Sequence, residues 1–477
     1  MQSPLSQIEH HSLARAQGAS LFGYALAVLV LCLCLGTIGF RLASQTNHDS
    51  DPFDQSAYIA MAKTMKCSWY PWYSDGTRNP LFPWLTAKFL DPDDPSFFES
   101  GKKLNILFGL CGVALLAGIF IRQMGPLAAF NATAVAGLAV LLPASIFFGT
   151  ETLFFVLFLL VCACAMRLLN HNPPWLYAVL GALAGIAYLA KPSATPFLVL
   201  FVVFSIAQLA LTFFPTARLP WFLRATQWRA KNLLLGLALF GTIYFALIAP
   251  RLLHAQRTWG SAFYSLPGFW FWADDWETCV QKYYDCREER LAQLPPGEQP
   301  TLAGYFRRHT VANAFQRAAG GATVRLTQLF YPEGKWRFPY EKWGKRKRVV
   351  LPYRGFYLLG LGLLATTMAA KAISRHRLGR VGPVGLPVLL GLATFVLYIF
   401  AMGWYLPTGP GHRFIMTLYL PILWILAQGG EQLRFAANSR TANLCFLAGH
   451  AALATLVISR IAILLLDGQF EKISHVF

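Results

Sequence analysis

The sequence has 477 residues, of which 56% are hydrophobic and only 13% are charged. A soluble protein of this length needs more charge to cover its surface, so the composition excludes an ordinary soluble enzyme and indicates a surface that faces lipid. The net charge of +19 could indicate nucleic-acid binding. However, the basic residues lie in short segments between long apolar runs, which is the charge bias that orients membrane helices. We therefore expect membrane lipids as surroundings and no nucleic-acid partner.

The apolar residues form runs of about 20, the length that crosses the hydrocarbon core of a bilayer as a helix. The first run is followed by Arg41 rather than by a small-residue cleavage site, which favours a retained helix over a signal peptide. The sequence predicts an all-α polytopic membrane protein with a tail at 1–19 and a single transmembrane domain over 20–477. Its predicted spans, about eleven in number, are 20–40, 103–121, 126–148, 151–168, 175–190, 194–214, 232–250, 354–370, 383–402, 412–427 and 442–466.

The placement of basic residues predicts the orientation of these spans. If the tail is cytoplasmic, one set of loops carries many arginines, Arg122 and Arg167 among them, while the opposite short loops carry little more than Lys191 and Arg413. Two long hydrophilic segments, 41–102 and 251–353, then lie outside, and we expect short amphipathic helices in both. Both are rich in aromatic residues, which suit the membrane interface and also suit stacking against sugars.

Asp54 opens a short amphipathic segment, DQSAYIAMAKTM, in the first outer loop, and we expect a short helix there. An acidic residue at this position could cap the helix. It could equally act as a general base where the first span meets water, and the residues alone leave both alternatives open. Asp49 and Asp51 are rivals in the same loop.

A basic residue precedes a proline-rich segment later in the same loop. Arg78 is followed by NPLFPWL, in which the prolines hold the backbone extended and the apolar residues face lipid. This puts Arg78 at headgroup depth, where its planar fork suits a phosphate. An arginine that merely reaches toward the interface is the alternative.

These segments together resemble the GT-C fold glycosyltransferases. The nearest branch contains the protein O-mannosyltransferases and the lipid A aminoarabinose transferases. The resemblance begins with Asp54, Tyr58 and the Pro80–Leu85 segment, and it continues through most of the chain. The further segments are PASIFFGTETLFF with Glu151, GALAGIAYLAKPSATPFL with Lys191, PRLLHAQRTWG (250–260) and GHRFIMTLYLPILWILA (411–427).

The resemblance implies transfer of a sugar, with inversion, from a polyprenyl-phosphate donor at the extracytoplasmic face. Asp54 would be the base, and the second carboxylate would be Asp51, Asp49 or Glu151, because Asp54-Gln55 stands where the branch commonly has paired acidic residues. His254-Ala255 replaces the usual arginine-asparagine pair, which leaves Arg257 as a substitute. The candidates for binding the donor phosphate are Arg78, Lys191, His254, Arg257, His412 and Arg413.

The remaining expectations concern partners and other chemistry. The acceptor would be a protein, a glycolipid or a glycan, and the setting most consistent with the resemblance is the plasma (inner) membrane of a bacterium, with the site facing the periplasm. No Gly-rich phosphate loop and no zinc-like Cys/His spacing occur, although acidic oxygens could hold a divalent cation. Cys279 and Cys286 are close enough in sequence to form a disulfide in the second outer loop.

Two other function classes remain open from the sequence. A polysaccharide polymerase or ligase also has many spans and a large outer loop. A transporter or flippase of lipid-linked sugars usually has charges in broken helices near the bilayer midplane. The predicted spans contain almost no ionisable residues, and this favours an enzyme that acts at the interface.

Overall fold

The computed structural model describes residues 4–45, 47–50, 54–213, 229–283, 293–330, 353–374, 385–409, 412–437 and 439–466. Within these ranges the regular structure is helical and no strand occurs. The α-helices are α1 Pro4–Gln45, α2 Gln55–Thr64, α3 Leu81–Phe89, α4 Phe97–Phe120, α5 Pro126–Ala136, α6 Leu142–Ser145, α7 Glu151–Asn170, α8 Pro174–Ala190, α9 Thr195–Leu211, α10 Ala230–Trp259, α11 Leu266–Trp270, α12 Trp276–Thr278, α13 Leu302–Arg308, α14 Val311–Phe330, α15 Tyr353–Ser374, α16 Gly385–Trp404, α17 Tyr419–Ala437 and α18 Arg440–Leu466.

Nine helical segments in the described part of the chain are long and apolar enough to cross a membrane, and two shorter apolar helices, Pro174–Ala190 and Tyr357–Ala370, accompany them. Leu21, Phe22 and Leu33 on the first span are more than half exposed, as expected for side chains that face lipid. The chain is therefore an integral membrane protein, and the predicted all-α polytopic fold is confirmed.

The end of α10 differs from the sequence prediction. The sequence predicts this span over 232–250, although an internal proline such as Pro250 need not end a helix. Instead α10 continues through Pro250 to Trp259 and ends at Gly260, whose φ of 87° is the left-handed conformation that favours glycine at a helix C-terminus. His254 and Arg257 consequently lie in the last turns of this helix rather than in a loop.

Close glycine contacts hold two pairs of helices together. A Cβ atom on Gly181 of α8 would lie 2.7 Å from the carbonyl oxygen of Phe240 in α10, so these backbones touch. A Cβ atom on Gly321 of α14 would lie 2.0 Å from the carbonyl oxygen of Gly403 in α16. Small residues of this kind allow membrane helices to approach closely.

The two long hydrophilic segments lie at the same end of the helices. The first contains α2 and α3, and the second contains α11 to α14. The Leu266 amide donates to the Gly76 carbonyl over 2.8 Å, and Trp72 packs edge-on against His254. These contacts join the segments into one extramembrane layer above the spans.

Candidate active site

Asp54 precedes α2, but its carboxylate does not cap that helix. One carboxylate oxygen accepts hydrogen bonds from Arg78 Nε over 3.1 Å and from Arg78 Nη2 over 2.9 Å. The other oxygen pairs with Arg413 Nη2 over 3.0 Å. The capping interpretation is therefore wrong for this side chain, which is held between two arginines from distant segments.

A tight turn holds Arg78 against Asp54. Asp75 Oδ1 accepts the backbone N–H groups of Thr77 and Arg78 over 2.9 and 2.7 Å, and Asp75 Oδ2 pairs with Arg78 Nη1 over 2.7 Å. Gly76, inside the turn, has a φ of 83°. Asp75 is not among the predicted site residues, although Asp-Gly is a turn signal that could have indicated it. Asp75 orients the guanidinium so that its remaining edge faces Asp54.

Glu151 is the second carboxylate that the structure brings to the site. It is the first residue of α7, and it pairs with Lys191 Nζ over 3.1 Å and with Arg413 Nη1 over 3.5 Å. Arg413 therefore bridges Asp54 and Glu151. Asp51 lies outside the described residues, and Asp49 contributes its backbone carbonyl to a hydrogen bond from Gln55. Of the proposed second carboxylates, Glu151 is the one seen beside Asp54.

The other predicted cations are placed differently. His254 packs between Trp72 and Tyr73, with ring centroids 4.8 and 5.1 Å away. Arg257 is exposed, and within the described part of the chain it makes no ion pair. The side chain of His412 lies outside the described part of the structure. The structure thus brings together Arg78, Lys191 and Arg413 and does not bring His254 or Arg257 into their ion-pair cluster.

An amide network aligns the two carboxylates. Gln55 exchanges hydrogen bonds with the Asn47 side chain over 2.7 and 3.0 Å and accepts the Phe148 N–H over 3.0 Å. Gln55 follows Asp54, and Phe148 lies three residues before Glu151, so this network ties the two carboxylate segments together. Gln55 stands where the resembled branch commonly has a second acidic residue, and its contacts help to position Asp54.

Aromatic side chains surround the charges. Phe414 lies under both Lys191 Nζ and the Arg413 guanidinium, at 5.2 and 5.3 Å from its ring centre, and such contacts favour cations. Tyr405 packs edge-on against Phe414. Tyr58 is buried, and burial raises the pKa of its hydroxyl well above the usual value. Sequence reasoning missed Tyr405 and Phe414, because only tertiary packing brings them to the site.

The electrostatics keep Asp54 ionised. Burial alone would raise the pKa of its carboxyl group, but the charges of Arg413 and Arg78 outweigh burial and hold the pKa below its usual range. The side chains of Asp54, Glu151 and Arg413 are 26%, 12% and 28% exposed, so the cluster is shielded but open to a ligand. The arrangement can supply a base and several phosphate-binding groups in one place.

Two sequence-based expectations remain predictions. Across the described ranges, no group of three or more His, Cys, Asp or Glu side chains could hold a metal ion. Asp54 and Glu151 face cationic side chains, which opposes a divalent cation between them. Cys279 is buried, but Cys286 lies outside the described residues, so the disulfide is not tested.

The chain is similar to a solved structure but matches no family model. No protein-family model matches the chain, and no curated protein matches it. Among solved structures, the chain is similar to ArnT from Cupriavidus metallidurans in the apo state. That similarity has a TM-score of 0.34 at 16% identity and covers 85% of this chain and 78% of that chain. A similarity this weak carries no argument about function, so the site is assigned from its own contacts.

Proposed function

We propose that this protein transfers a sugar from a polyprenyl-phosphate-linked donor to an acceptor at the extracytoplasmic face of the membrane. The observation that carries the proposal is that the Asp54 carboxylate pairs with both Arg78 and Arg413. A carboxylate with a lowered pKa is ionised at neutral pH and can accept a proton. The arginines beside it suit the phosphate of the donor.

The proposed reaction is a single displacement. The oxygen of an acceptor hydroxyl forms a bond to the anomeric carbon, on the face opposite the phosphate. The bond from the anomeric carbon to the phosphate oxygen breaks, and the polyprenyl phosphate leaves with the electron pair. The hydroxyl proton passes to Asp54, and the anomeric configuration is inverted. Arg78, Arg413 and Lys191 stabilise the charge that develops on the leaving phosphate.

The position of the charges supports an enzyme over a transporter. Glu151 begins a span, Lys191 follows α8, and Arg413 lies in the short 3-10 segment His412–Leu418 before α17. Asp54 and Arg78 lie in the extramembrane layer. Transporters more often place such groups in the middle of broken helices. The sequence resemblance to the lipid-linked-sugar transferases points to the same class of reaction.

Purified protein in an uncharged detergent would test the proposal. It should be incubated with a panel of labelled polyprenyl-phosphate pentoses, hexoses and amino sugars, together with a membrane extract as the source of acceptor hydroxyl groups, and the released polyprenyl phosphate measured. Asp54→Asn should lower the rate by about 10²–10⁴-fold, the usual contribution of a general base. Asp94→Asn, a change of the same kind at an exposed turn, is the matched control. Release at the parental rate from Asp54→Asn would show that Asp54 is not the base, and no release from any donor would refute the proposed reaction.

A further inference from the structure

A second group of cationic side chains lies in the extramembrane layer, outside the cluster around Asp54. Asp274 faces Arg308 Nη1 at 3.3 Å, His309 Nε2 at 3.4 Å and Arg317 Nη1 at 3.9 Å. Arg308 ends α13, and Arg317 lies in the first half of α14. The contacts of this one carboxylate are longer than the 2.7 and 3.0 Å that join Arg78 to Asp75 and Arg413 to Asp54.

Aromatic rings and a backbone carbonyl hold the Arg317 side chain, but not all of its N–H groups have an acceptor. Its guanidinium lies 4.7 Å from the ring centre of Trp404 and 5.5 Å from that of Tyr305, and its Nε donates to the Trp404 carbonyl over 2.9 Å. The side chain is only 10% exposed. Its Nη2 is buried and has no acceptor among the described residues, and the same is true of Arg308 Nε.

The charges of this group do not balance. Arg308 and Arg317 bring two positive charges to one acidic residue, and protonated His309 would bring a third. Leaving a buried N–H of a charged group without an acceptor is costly, so such groups normally find a partner. An anion that carries several oxygens would supply acceptors to Arg317 Nη2 and Arg308 Nε, which Asp274 leaves without one.

We propose that Arg308, His309 and Arg317 form a second anion site, which binds a phosphate group. Asp274, which is 36% exposed, marks the solvent side of the group. Planar guanidinium forks are well suited to phosphate oxygens. The same chemistry is presented by a membrane-lipid headgroup, by a phosphorylated acceptor and by free phosphate.

A continuous series of aromatic contacts connects the second site to the first. Phe271 stacks on both Trp404 and Tyr405, and Tyr405 packs against Phe414, on which the Arg413 guanidinium rests. Four aromatic rings in series therefore link the two cationic groups. A phosphate at the second site would hold its carrier beside the Asp54 cluster, although the binding itself does not depend on the proposed transfer reaction.

The test measures binding rather than turnover. An Arg78→Gln/Arg413→Gln background removes the phosphate-binding arginines of the first site. Isothermal titration of this protein, in an uncharged detergent, uses inorganic phosphate, a short-chain phosphatidic acid, and the diacylglycerol of the same chain length. Into this background are added Arg317→Gln, Asp274→Asn, and Arg307→Gln as the matched control, because Arg307 is an exposed neighbour with the same charge.

Arg317→Gln and Asp274→Asn should change the affinity for phosphate in opposite directions. Arg317→Gln should weaken binding of the phosphate probes by about tenfold or more, because a charged donor pair is lost. Asp274→Asn should strengthen it, because the competing carboxylate charge is removed, and Arg307→Gln should leave it unchanged. Binding of phosphatidic acid without binding of inorganic phosphate would identify a lipid-borne headgroup as the ligand, and binding of both would also fit a soluble phosphate.

Three results would overturn the proposal. They are no binding of either phosphate probe, equal binding of diacylglycerol, and phosphate binding that neither Arg317→Gln nor Asp274→Asn alters. If Arg317→Gln does not fold, the gain expected from Asp274→Asn still decides the question. Because no sugar donor is used, these results are independent of whether the protein transfers a sugar.

Discussion

Asp54 accepts hydrogen bonds from two arginines that are also the proposed phosphate ligands, so donor binding should change its acidity. The positive charges of Arg413 and Arg78 lower the pKa of Asp54 in the unliganded protein. A bound phosphate would offset those charges, and the pKa should rise. The kcat/KM profile reports the free enzyme and the kcat profile reports the bound complex. We therefore expect the acidic limb of kcat at higher pH than that of kcat/KM, and coincident limbs would contradict this account.

Arg413 contacts both carboxylates, and replacing it should affect donor use strongly. Arg413→Ala removes a cation from Asp54 and from Glu151, and the KM for the donor should rise by about tenfold or more. Arg413→Lys should rescue the KM only in part, because an ammonium group lacks the planar fork that reaches both partners. Steady-state kinetics with a labelled donor would measure this. Arg307→Ala is the exposed control, and parental kinetics in Arg413→Ala would remove this residue from the site.

At the residue scale, sequence reasoning identified those members of the site that local motifs present. Each of them begins or ends an apolar or amphipathic segment that is visible in the sequence. They are Asp54, Arg78, Glu151, Lys191 and Arg413. It could not show which of them would meet, since the pairing of Arg413 with Glu151 depends on how distant helices pack. Phe414 was missed for the same reason, because an aromatic residue beside a span usually indicates only an interface anchor.

At the element scale, α14 is a helix of 20 residues, whereas the sequence predicts only short amphipathic helices in the second outer loop. It contains Arg325, which is fully buried, and burial lowers the pKa of its guanidinium to about 10. Its Nε, Nη1 and Nη2 donate to the Met402 carbonyl, the Gln328 side chain and the Gly409 carbonyl over 2.9, 2.7 and 2.5 Å. These bonds tie α14 to the end of α16 and to the segment that leads to Arg413.

Removing this anchor should destabilise the protein and disturb the site together. Arg325→Ala leaves buried carbonyl groups without donors, which should cost about 3 kcal/mol or more of unfolding free energy. Arg325→Lys should recover little, since a single ammonium group cannot point in all three directions. Thermal unfolding in detergent, followed beside the donor KM, would measure both effects. Arg307→Ala should match the parent, and an unchanged unfolding temperature in Arg325→Ala would refute the anchoring role.

Apolar run length was a good guide to most helices but a poor guide to their ends. The sequence predicts an end at residue 250, yet α10 continues to Trp259 and ends at Gly260, whose φ is 87°. The continuation carries Arg251 to a buried position, where it donates to the carbonyl groups of Ala262 and Tyr264 over 3.2 Å each. Such tertiary contacts cannot be predicted from local helix propensity.

At the scale of the whole molecule, the charge bias predicts that the layer holding the site faces away from the cytoplasm. Cys67 is a native probe of this orientation, because it is exposed in the first outer loop. A maleimide reagent that does not cross membranes should label Cys67 in intact cells, and Cys67→Ser should abolish that label. Arg122→Cys, at an exposed turn at the opposite end, should react only after permeabilisation. The reverse pattern would invert the topology and place the site inside.

The bridge that Arg413 makes also has a consequence for biosynthesis. Asp54, Arg78, Glu151 and Lys191 all precede the large second hydrophilic segment, whereas Arg413 follows it, just before α17. A chain still emerging from the ribosome therefore presents both carboxylates to the membrane surface before the cation that joins them has been translated. Transfer activity should therefore arise late, once α16 has been inserted and the segment that contains Arg413 has packed against the two carboxylates. Chains that terminate before residue 413 should stay inactive even when their earlier spans are correctly inserted.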